Sequence, residues 1–438
     1  MALPVHRIPK NVFVAIGRGG GGSSAVGILA NGQYSKHVLL LRGVLEAAVT
    51  SGHRQAASAQ DSYDLLADIQ RFNPAAARKV ISYPSVGAWA SRTLRALRGG
   101  SSMPGAEPAG MSGIAAATAI HAGYSAEIKV PAVDGLVVLP SVGAGTLGNG
   151  LVVVQNTVDG THISSRESSI SVPREPNDVT TGWLPLRRVH VGELQVLIDD
   201  VDPFRMPAEP TLAHRLPEAT FDEWERVLRD AWTLLAQFHR EVALEVAAAI
   251  RVIVPLVRPV AGQASSSSRE TYGAVALSQP PDTRTLAVTL VHEVQHLKLS
   301  ALLDIVTLLL PDDGRRFYAP WRNDPRPASG LLQGAYAYVG VSKFWRRQRE
   351  LDDGLAGLKA QTEFARWRSA AMQVVNTLHS SGLLTPAGAE FTENMAESLR
   401  VWLSEPIPHD ARVLAADKAE KHLARWHTVN GTVLGLPG

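Results

Sequence analysis

The longest apolar stretch of the sequence spans residues 286–310 and contains several polar or charged side chains. These are His292, Glu293, Gln295, His296, Lys298 and Asp304. Side chains of this kind are costly in the hydrocarbon core of a membrane, so we do not expect the stretch to span one. A continuous apolar sequence of this length that is not in lipid must be buried in protein. We therefore predict a buried helix here.

Within this stretch, residues 292–296 (HEVQH) form an HExxH motif. On a helix, His292 and His296 lie on one face about one turn apart, so both imidazoles can bind one divalent metal ion, with Glu293 beside it. Two imidazoles and a carboxylate inside an apolar helix are costly to bury without a ligand. The alternative is a chance match, because the pattern is short. The sequence favours a metal site with His292 and His296 as ligands and Glu293 as the catalytic residue.

The composition restricts which other groups can complete such a site. The 438 residues include no cysteine, which excludes thiolate metal ligands, disulfides, iron–sulfur clusters and a cysteine nucleophile. Any metal must therefore be held by imidazole, oxygen or amide ligands. The formal net charge is only +2 and no long basic run is present, so we expect no nucleic-acid partner.

The residues after the motif argue against the familiar zinc peptidases. One subclass requires Gly and His at the third and sixth positions after the second histidine, where this sequence has Leu299 and Leu302. Another subclass takes a Glu ligand from a following helix, but the first Glu after the motif is Glu350. A peptidase that binds Zn(II) and uses Glu293 to activate water remains an alternative. A metal-free peptide-binding scaffold is a second alternative.

The pattern along the chain predicts an α+β protein with three parts. Apolar residues at spacings of three and four predict a helical N-terminal domain over 1–126. Short β-branched runs bounded by Asp-Gly and Asn-Gly predict a β-rich segment over 127–206. We assign 207–438 to the HExxH metal-binding catalytic domain, in which residues 271–280 form a short strand just before the buried helix.

Three local features carry further expectations. Thr220 with Glu223 resembles a capping box, which predicts that a helix of nearly eight turns begins there. The glycine-rich run at 17–24 lacks the Lys-Ser/Thr ending of a phosphate-binding loop, and we predict a flexible loop. The first residues lack the apolar segment and cleavage site of a secretory signal, so we expect a cytoplasmic protein.

Several segments resemble one family, the HExxH-type peptide β-hydroxylases of ribosomally synthesised peptide pathways. The most specific are LVHEVQHLKLSALLDIV at 290–306 and FYAPWRNDPRPASGLLQGAYAYVGVSKFWR at 317–346. Further similar segments lie at 62–97, 197–205 and 422–430, so the resemblance covers most of the chain. It implies a zincin-like core, Fe(II) as cofactor, 2-oxoglutarate and O₂ as co-substrates, and β-hydroxylation of a side chain in a precursor peptide.

The third iron ligand is open at this stage. We favour Gln333, because it stands at the start of a following helix, where HExxH folds usually present this ligand. Since an amide oxygen is a weak ligand, Gln333 as a helix-capping group or a partner of a ligand is nearly as good an assignment. Relatives often carry His at the position of Tyr338, from which this sequence departs, and His422 and Glu393 are further candidates.

The distal carboxylate of 2-oxoglutarate requires a cation, for which a forked arginine is best suited. The candidates are Arg322, Arg326, Lys298 and Arg425. Each has the alternative role of an ordinary ion pair. In a hydroxylase, Glu293 orients a water or ligand, or holds the peptide, instead of acting as a general base. We assign no role to Trp321, which is more often a core or platform residue than part of a cofactor site.

Overall fold

The computed structural model describes residues 5–174, 180–207, 215–260 and 262–431, which mix helices and strands as the α+β prediction requires. The helices are α1 (Lys10–Gly17), α2 (Gly22–Thr50), α3 (Ala56–Phe72), α4 (Pro74–Ile81), α5 (Pro84–Leu97), α6 (Met111–Ala122), α7 (Glu218–Phe238), α8 (Arg240–Ala249), α9 (Thr283–Leu303), α10 (Ala328–Gln348), α11 (Gly354–Ser381), α12 (Pro386–Ser404) and α13 (His409–Asn430). The strands are β1 (Ala126–Ala132), β2 (Leu136–Leu139), β3 (Gly143–Thr146), β4 (Gly150–Thr157), β5 (Gly160–Ser164), β6 (Ser169–Val172), β7 (Trp183–Pro185), β8 (Arg187–Val191), β9 (Leu194–Ile198), β10 (Val252–Leu256), β11 (Ser265–Ser267) and β12 (Ala274–Ser278).

The chain divides into two compact units, each built from separated segments. The first unit comprises mainly Ala30–Arg226 and Ile250–Pro281. The second unit comprises Ala2–Leu29, Val227–Ala249 and Asp282–Gly438. The units are therefore not continuous in sequence: residues before 30 belong with the HExxH helix, although more than two hundred residues separate them.

Within the described residues, all strands lie in the first unit, in three sheets. The orders are β1-β4-β5-β6, β2-β3-β7 and β11-β12-β10-β9-β8. Neighbouring strands are antiparallel except that β10 runs parallel to both β9 and β12. The buried, alanine-rich helix α6 packs on β1, β2 and β4 and ends at Gly123, whose φ of 64° is the left-handed conformation that suits a helix C-terminus.

The second unit is helical and contains the HExxH motif. Its helix α9 packs between α8 and α10, α10 packs on α11, and α11 contacts α12 and α13. The side chain of Asp282 caps α9 by accepting the backbone N–H of Thr285 at 2.8 Å. Most side chains of α9 are buried, as predicted for this apolar stretch, so the motif lies on a helix fixed on several sides.

The start and the length predicted for the helix at Thr220 are wrong, whereas the strand and the helix predicted around the motif are confirmed. The helix predicted to begin at Thr220 begins at Glu218, so Thr220 lies inside its first turn, and it is interrupted at His239. The His239 ring stacks on Phe344 with centroids 4.2 Å apart, a tertiary contact that helical periodicity does not show. The predicted strand before the motif is β12, and the predicted helix of the motif is α9.

A test by length and composition finds no single membrane-spanning helix in the described ranges. The bent pair α1 and α2, which meet at 109°, passes the same test when taken together.

Candidate metal centre

The two motif histidines face each other across one turn of α9. The Nε2 atoms of His292 and His296 are 3.0 Å apart, and the ring planes are inclined by 75°. Both side chains are half-buried, whereas Glu293 between them in sequence is buried. The spacing of four residues thus directs two nitrogen atoms at a common point, as the motif predicts.

Gln333 of α10 fixes the orientation of one of these rings. Its Oε1 atom lies 3.0 Å from Nδ1 of His296, and its Nε2 atom lies 3.5 Å from the hydroxyl of Ser300. An amide oxygen can only accept, so Nδ1 of His296 carries the proton and Nε2 of the neutral ring keeps its lone pair. This is the contact of a group that orients a metal ligand. In this structure Gln333 therefore touches His296 on the side away from Nε2.

The separation of the two Nε2 atoms fits a shared divalent ion. With metal–nitrogen bonds of about 2.1 Å, two nitrogens 3.0 Å apart subtend an angle of roughly 90° at the metal. The same distance is that of a hydrogen bond between the two ring nitrogens, so it places them for a shared ion without distinguishing one metal from another. The parts of the chain that the structure describes hold no cluster of three or more His, Asp or Glu suited to a metal.

Burial keeps one ligand neutral. Burial first, and then the neighbouring His296, lower the pKa of His292 to about 4, while the Glu293 carboxylate opposes this shift. At pH 7 the imidazole of His292 is therefore unprotonated on one nitrogen and needs no proton loss to bind a metal. Glu293 lies about 100° around the helix from His292, close enough to act on its charge.

A stack of three aromatic rings borders the histidines. Tyr338 of α10 lies between Trp321 and Trp367, with ring centroids 4.7 and 4.2 Å away, and stands edge-on to His292 at 5.4 Å. Burial raises the pKa of Tyr338 to about 12, so its phenol is neutral at pH 7. The stack depends on Gly334, since any Cβ at this position would overlap the indole of Trp321.

The structure places the predicted cations in three different settings. Arg322 and Arg326 both pair with Asp324, at 3.0 and 2.9 Å, in the exposed segment between α9 and α10. Lys298 is wholly buried, where its Nζ atom lies 2.8 Å from Glu245. Arg425 lies on α13 near His422, whose pKa is lowered by burial first and then by the charges of Arg366 and Arg425.

The remaining candidates for a third ligand have other partners. Nδ1 of His422 lies 2.9 Å from the hydroxyl of Tyr318. Glu393 forms an exposed ion pair with Arg400 at 2.7 Å. Of the positions considered from sequence, Gln333 and Tyr338 are thus the two that contact the motif histidines.

Behind the motif, the glycine-rich turn before α2 is held by carboxylates. The N–H of Gly22 donates to Glu245 at 2.8 Å, and a Cβ on Gly20 would lie 2.7 Å from the carboxylate of Glu241. Lys298 closes the cluster by donating to the carbonyl of Gly20 at 2.9 Å. The carboxylates of Glu241 and Glu245 thus lie beside the turn, where a phosphate would otherwise bind. The turn is part of the packed unit.

Sequence reasoning missed the aromatic stack and the cluster around Lys298. The signal for the stack was present in Gly334, which stands four residues before Tyr338 and therefore on the same face of α10. Trp367 carried no comparable signal, because it comes from the next helix. The chain matches no family model, and no curated protein is significantly similar to it.

Proposed function

We propose that this protein is an Fe(II)- and 2-oxoglutarate-dependent hydroxylase that acts on the β-carbon of a side chain in a precursor peptide, and that its metal-binding unit has a zincin-like core. The observation that carries the proposal is the pair of Nε2 atoms 3.0 Å apart, with His296 oriented by Gln333. The resemblance of residues 290–306 and 317–346 to the peptide β-hydroxylases supplies the reaction.

In this proposal His292 and His296 hold the iron, and Gln333 keeps Nε2 of His296 directed at it. When bound, Fe(II) supplies O₂ activation coupled to oxidative decarboxylation of 2-oxoglutarate. The balance is one C–H bond, O₂ and 2-oxoglutarate giving C–OH, succinate and CO₂. Glu293 places a negative charge beside His292 and orients a water or a peptide group near the metal.

The aromatic stack gives the site a rigid wall. Trp321, Tyr338 and Trp367 present flat, largely apolar surface next to His292, which excludes water and favours one orientation of the peptide side chain. The neutral phenol of Tyr338 adds no charge there. We assign the stack to positioning of the side chain that is hydroxylated.

For the distal carboxylate of 2-oxoglutarate we propose Arg366, which the sequence did not single out. Its guanidinium lies 4.0 Å above the ring of Trp367. Its ion pair with Glu363 is long, at 3.9 Å. It also lines a cavity of about 410 Å³ in the same unit. Arg322, by contrast, pairs with Asp324 at 3.0 Å in an exposed segment.

The test is anaerobic reconstitution with Fe(II), followed by exposure to O₂ with 2-oxoglutarate and the candidate precursor peptide. We expect one bound iron per chain, succinate formation and a gain of about 16 Da on the peptide, the mass of one oxygen atom. His292→Ala should lose the iron and the succinate signal. His379→Ala is the matched control, because His379 lies in the same unit with Thr392 as its partner.

Three outcomes contradict the proposal. Peptide cleavage with Zn(II), without oxidation in the presence of Fe(II), assigns a peptidase. Absence of bound metal together with unchanged stability of His292→Ala assigns a metal-free scaffold. Equal loss of iron in His292→Ala and His379→Ala shows that metal binding does not depend on the motif.

A further inference from the structure

A second cavity, of about 410 Å³, lies wholly within the first unit and is lined by positive charge. Lys79 of α4, Arg188 of β8 and Arg174, just after β6, contribute to its wall. None of its described lining residues is Asp or Glu. Cations grouped in this way repel one another unless an anion lies among them.

A chain of hydrogen bonds runs along the wall of this cavity. Nζ of Lys79 lies 3.2 Å from Nδ1 of His121, and Nε2 of His121 lies 3.0 Å from Oγ of Ser141. An ammonium group only donates, so Nδ1 of His121 accepts and its Nε2–H donates to Ser141. The serine hydroxyl hydrogen is then left to donate to a ligand. The same proton placement argues against a nucleophilic serine, because His121 has no lone pair directed at the hydroxyl.

The serine is held in an unusual backbone conformation. Ser141 lies between β2 and β3 with a φ of 69°, and its side chain is buried. The left-handed region costs a residue other than glycine about 1 kcal/mol, and such strain persists where surrounding structure imposes it. The turn thus holds the hydroxyl against His121 at the wall of the cavity.

The charges of these groups also affect one another's pKa values. Burial first, and then Arg188, lower the pKa of Lys79. Burial first, then Lys79, with a smaller effect of Arg188, lower the pKa of His121 to about 4. An anion in the cavity would relieve this repulsion and raise both pKa values.

We propose that this cavity binds a small molecule bearing a phosphate group, with the phosphate on Lys79, Arg188 and the hydroxyl of Ser141. A doubly charged oxyanion matches several cations and a hydroxyl donor better than a single carboxylate does. The volume lies in the range of small-molecule sites and exceeds what a bare phosphate fills. Trp183 and Leu186 of the same wall provide apolar surface for an organic part of the ligand.

The experiment is calorimetric titration of the full chain with inorganic phosphate, phenyl phosphate and benzoate. We expect phenyl phosphate to bind most tightly and benzoate at least tenfold more weakly. Lys79→Met should weaken phenyl phosphate binding at least tenfold, and Ser141→Ala several-fold. Lys129→Met is the matched control, since Lys129 is an exposed lysine on β1 of the same unit, and should leave the affinity within twofold.

Circular dichroism establishes that each variant is folded, and Ser141→Ala keeps the test valid if Lys79→Met does not fold. A readout independent of affinity is the pKa of His121 by NMR, which phenyl phosphate should raise because it offsets the charges of Lys79, Arg174 and Arg188. The proposal is overturned if no phosphate compound binds, if benzoate binds as tightly as phenyl phosphate, or if Lys129→Met weakens binding as much as Lys79→Met.

Discussion

Replacing Lys298 by Met should destabilise the second unit strongly. Nζ of Lys298 lies 2.8 Å from Glu245 and 2.9 Å from the carbonyl of Gly20, and both charged side chains are at most 1% exposed. Removing one partner of a buried pair leaves the other charge uncompensated, at a cost of about 3–5 kcal/mol. With a urea slope of about 3 kcal/mol/M, the unfolding midpoint should fall by about 1–1.7 M.

The chain offers a closely matched control, a second lysine whose carboxylate partner lies on the same helix, α8, as Glu245. Lys343 pairs with Glu241 at 2.7 Å, one turn of α8 before Glu245, but this pair is exposed. Lys343→Met should therefore cost no more than about 1 kcal/mol. The double variant Lys298→Met with Glu245→Gln removes the orphaned charge and should be less destabilised than the sum of its two single variants.

The assay is urea unfolding followed by circular dichroism, with 2-oxoglutarate binding measured on the same samples. The reasoning is refuted if Lys298→Met loses no more stability than Lys343→Met, or if the double variant shows no coupling. A folded, fully stable Lys298→Met protein with selectively weakened 2-oxoglutarate binding would instead restore the role predicted for Lys298 from sequence.

Three further outcomes are expected. Gln333→Leu should weaken iron binding about 10–100-fold by releasing His296, as measured by competition with a chelator; unchanged affinity would contradict the orienting role. Gly334→Ala should cost about 1–3 kcal/mol by displacing Trp321, visible as a shifted tryptophan emission spectrum and a lower unfolding midpoint. Since burial holds the folded-state pKa of His121 near 4, below its unfolded value of about 6.5, the unfolded chain binds more protons between these pH values. Stability should thus fall by at most about 3 kcal/mol from pH 6.5 to 4, and His121→Asn should reduce this loss.

The sequence predicted those parts of the site that depend on local spacing. The spacing of four residues from His292 to His296 determines a shared helix face wherever a helix forms, and the apolar residues around them require that helix to be buried. The position of the strand β12 followed from a short apolar run between flanking turn residues. Periodicity and turn chemistry are properties of neighbouring residues, so they can be detected in one sequence.

Contacts between distant segments were not predictable in the same way. The partner of Lys298 stands 53 residues earlier, and no pattern in a single sequence identifies it. The ring at the break, His239, stacks on Phe344, more than a hundred residues later. For Gln333, the sequence indicated a role near the metal, but only the geometry distinguishes the Nδ1 side of His296 from the Nε2 side.

The hydrogen bonds between the first residues and the helices α9 and α10 determine which truncated fragments can fold. Besides the bond from Lys298 to Gly20, the buried hydroxyl of Tyr336 donates to the carbonyl of Ile16 at 2.9 Å. A fragment that begins after residue 29 would keep every motif residue, but Tyr336 would lose its acceptor and Lys298 would lose the carbonyl of Gly20 while keeping Glu245. Such a fragment should regain its fold when a synthetic peptide of residues 1–29 is added, so the second unit can be reassembled from two chains.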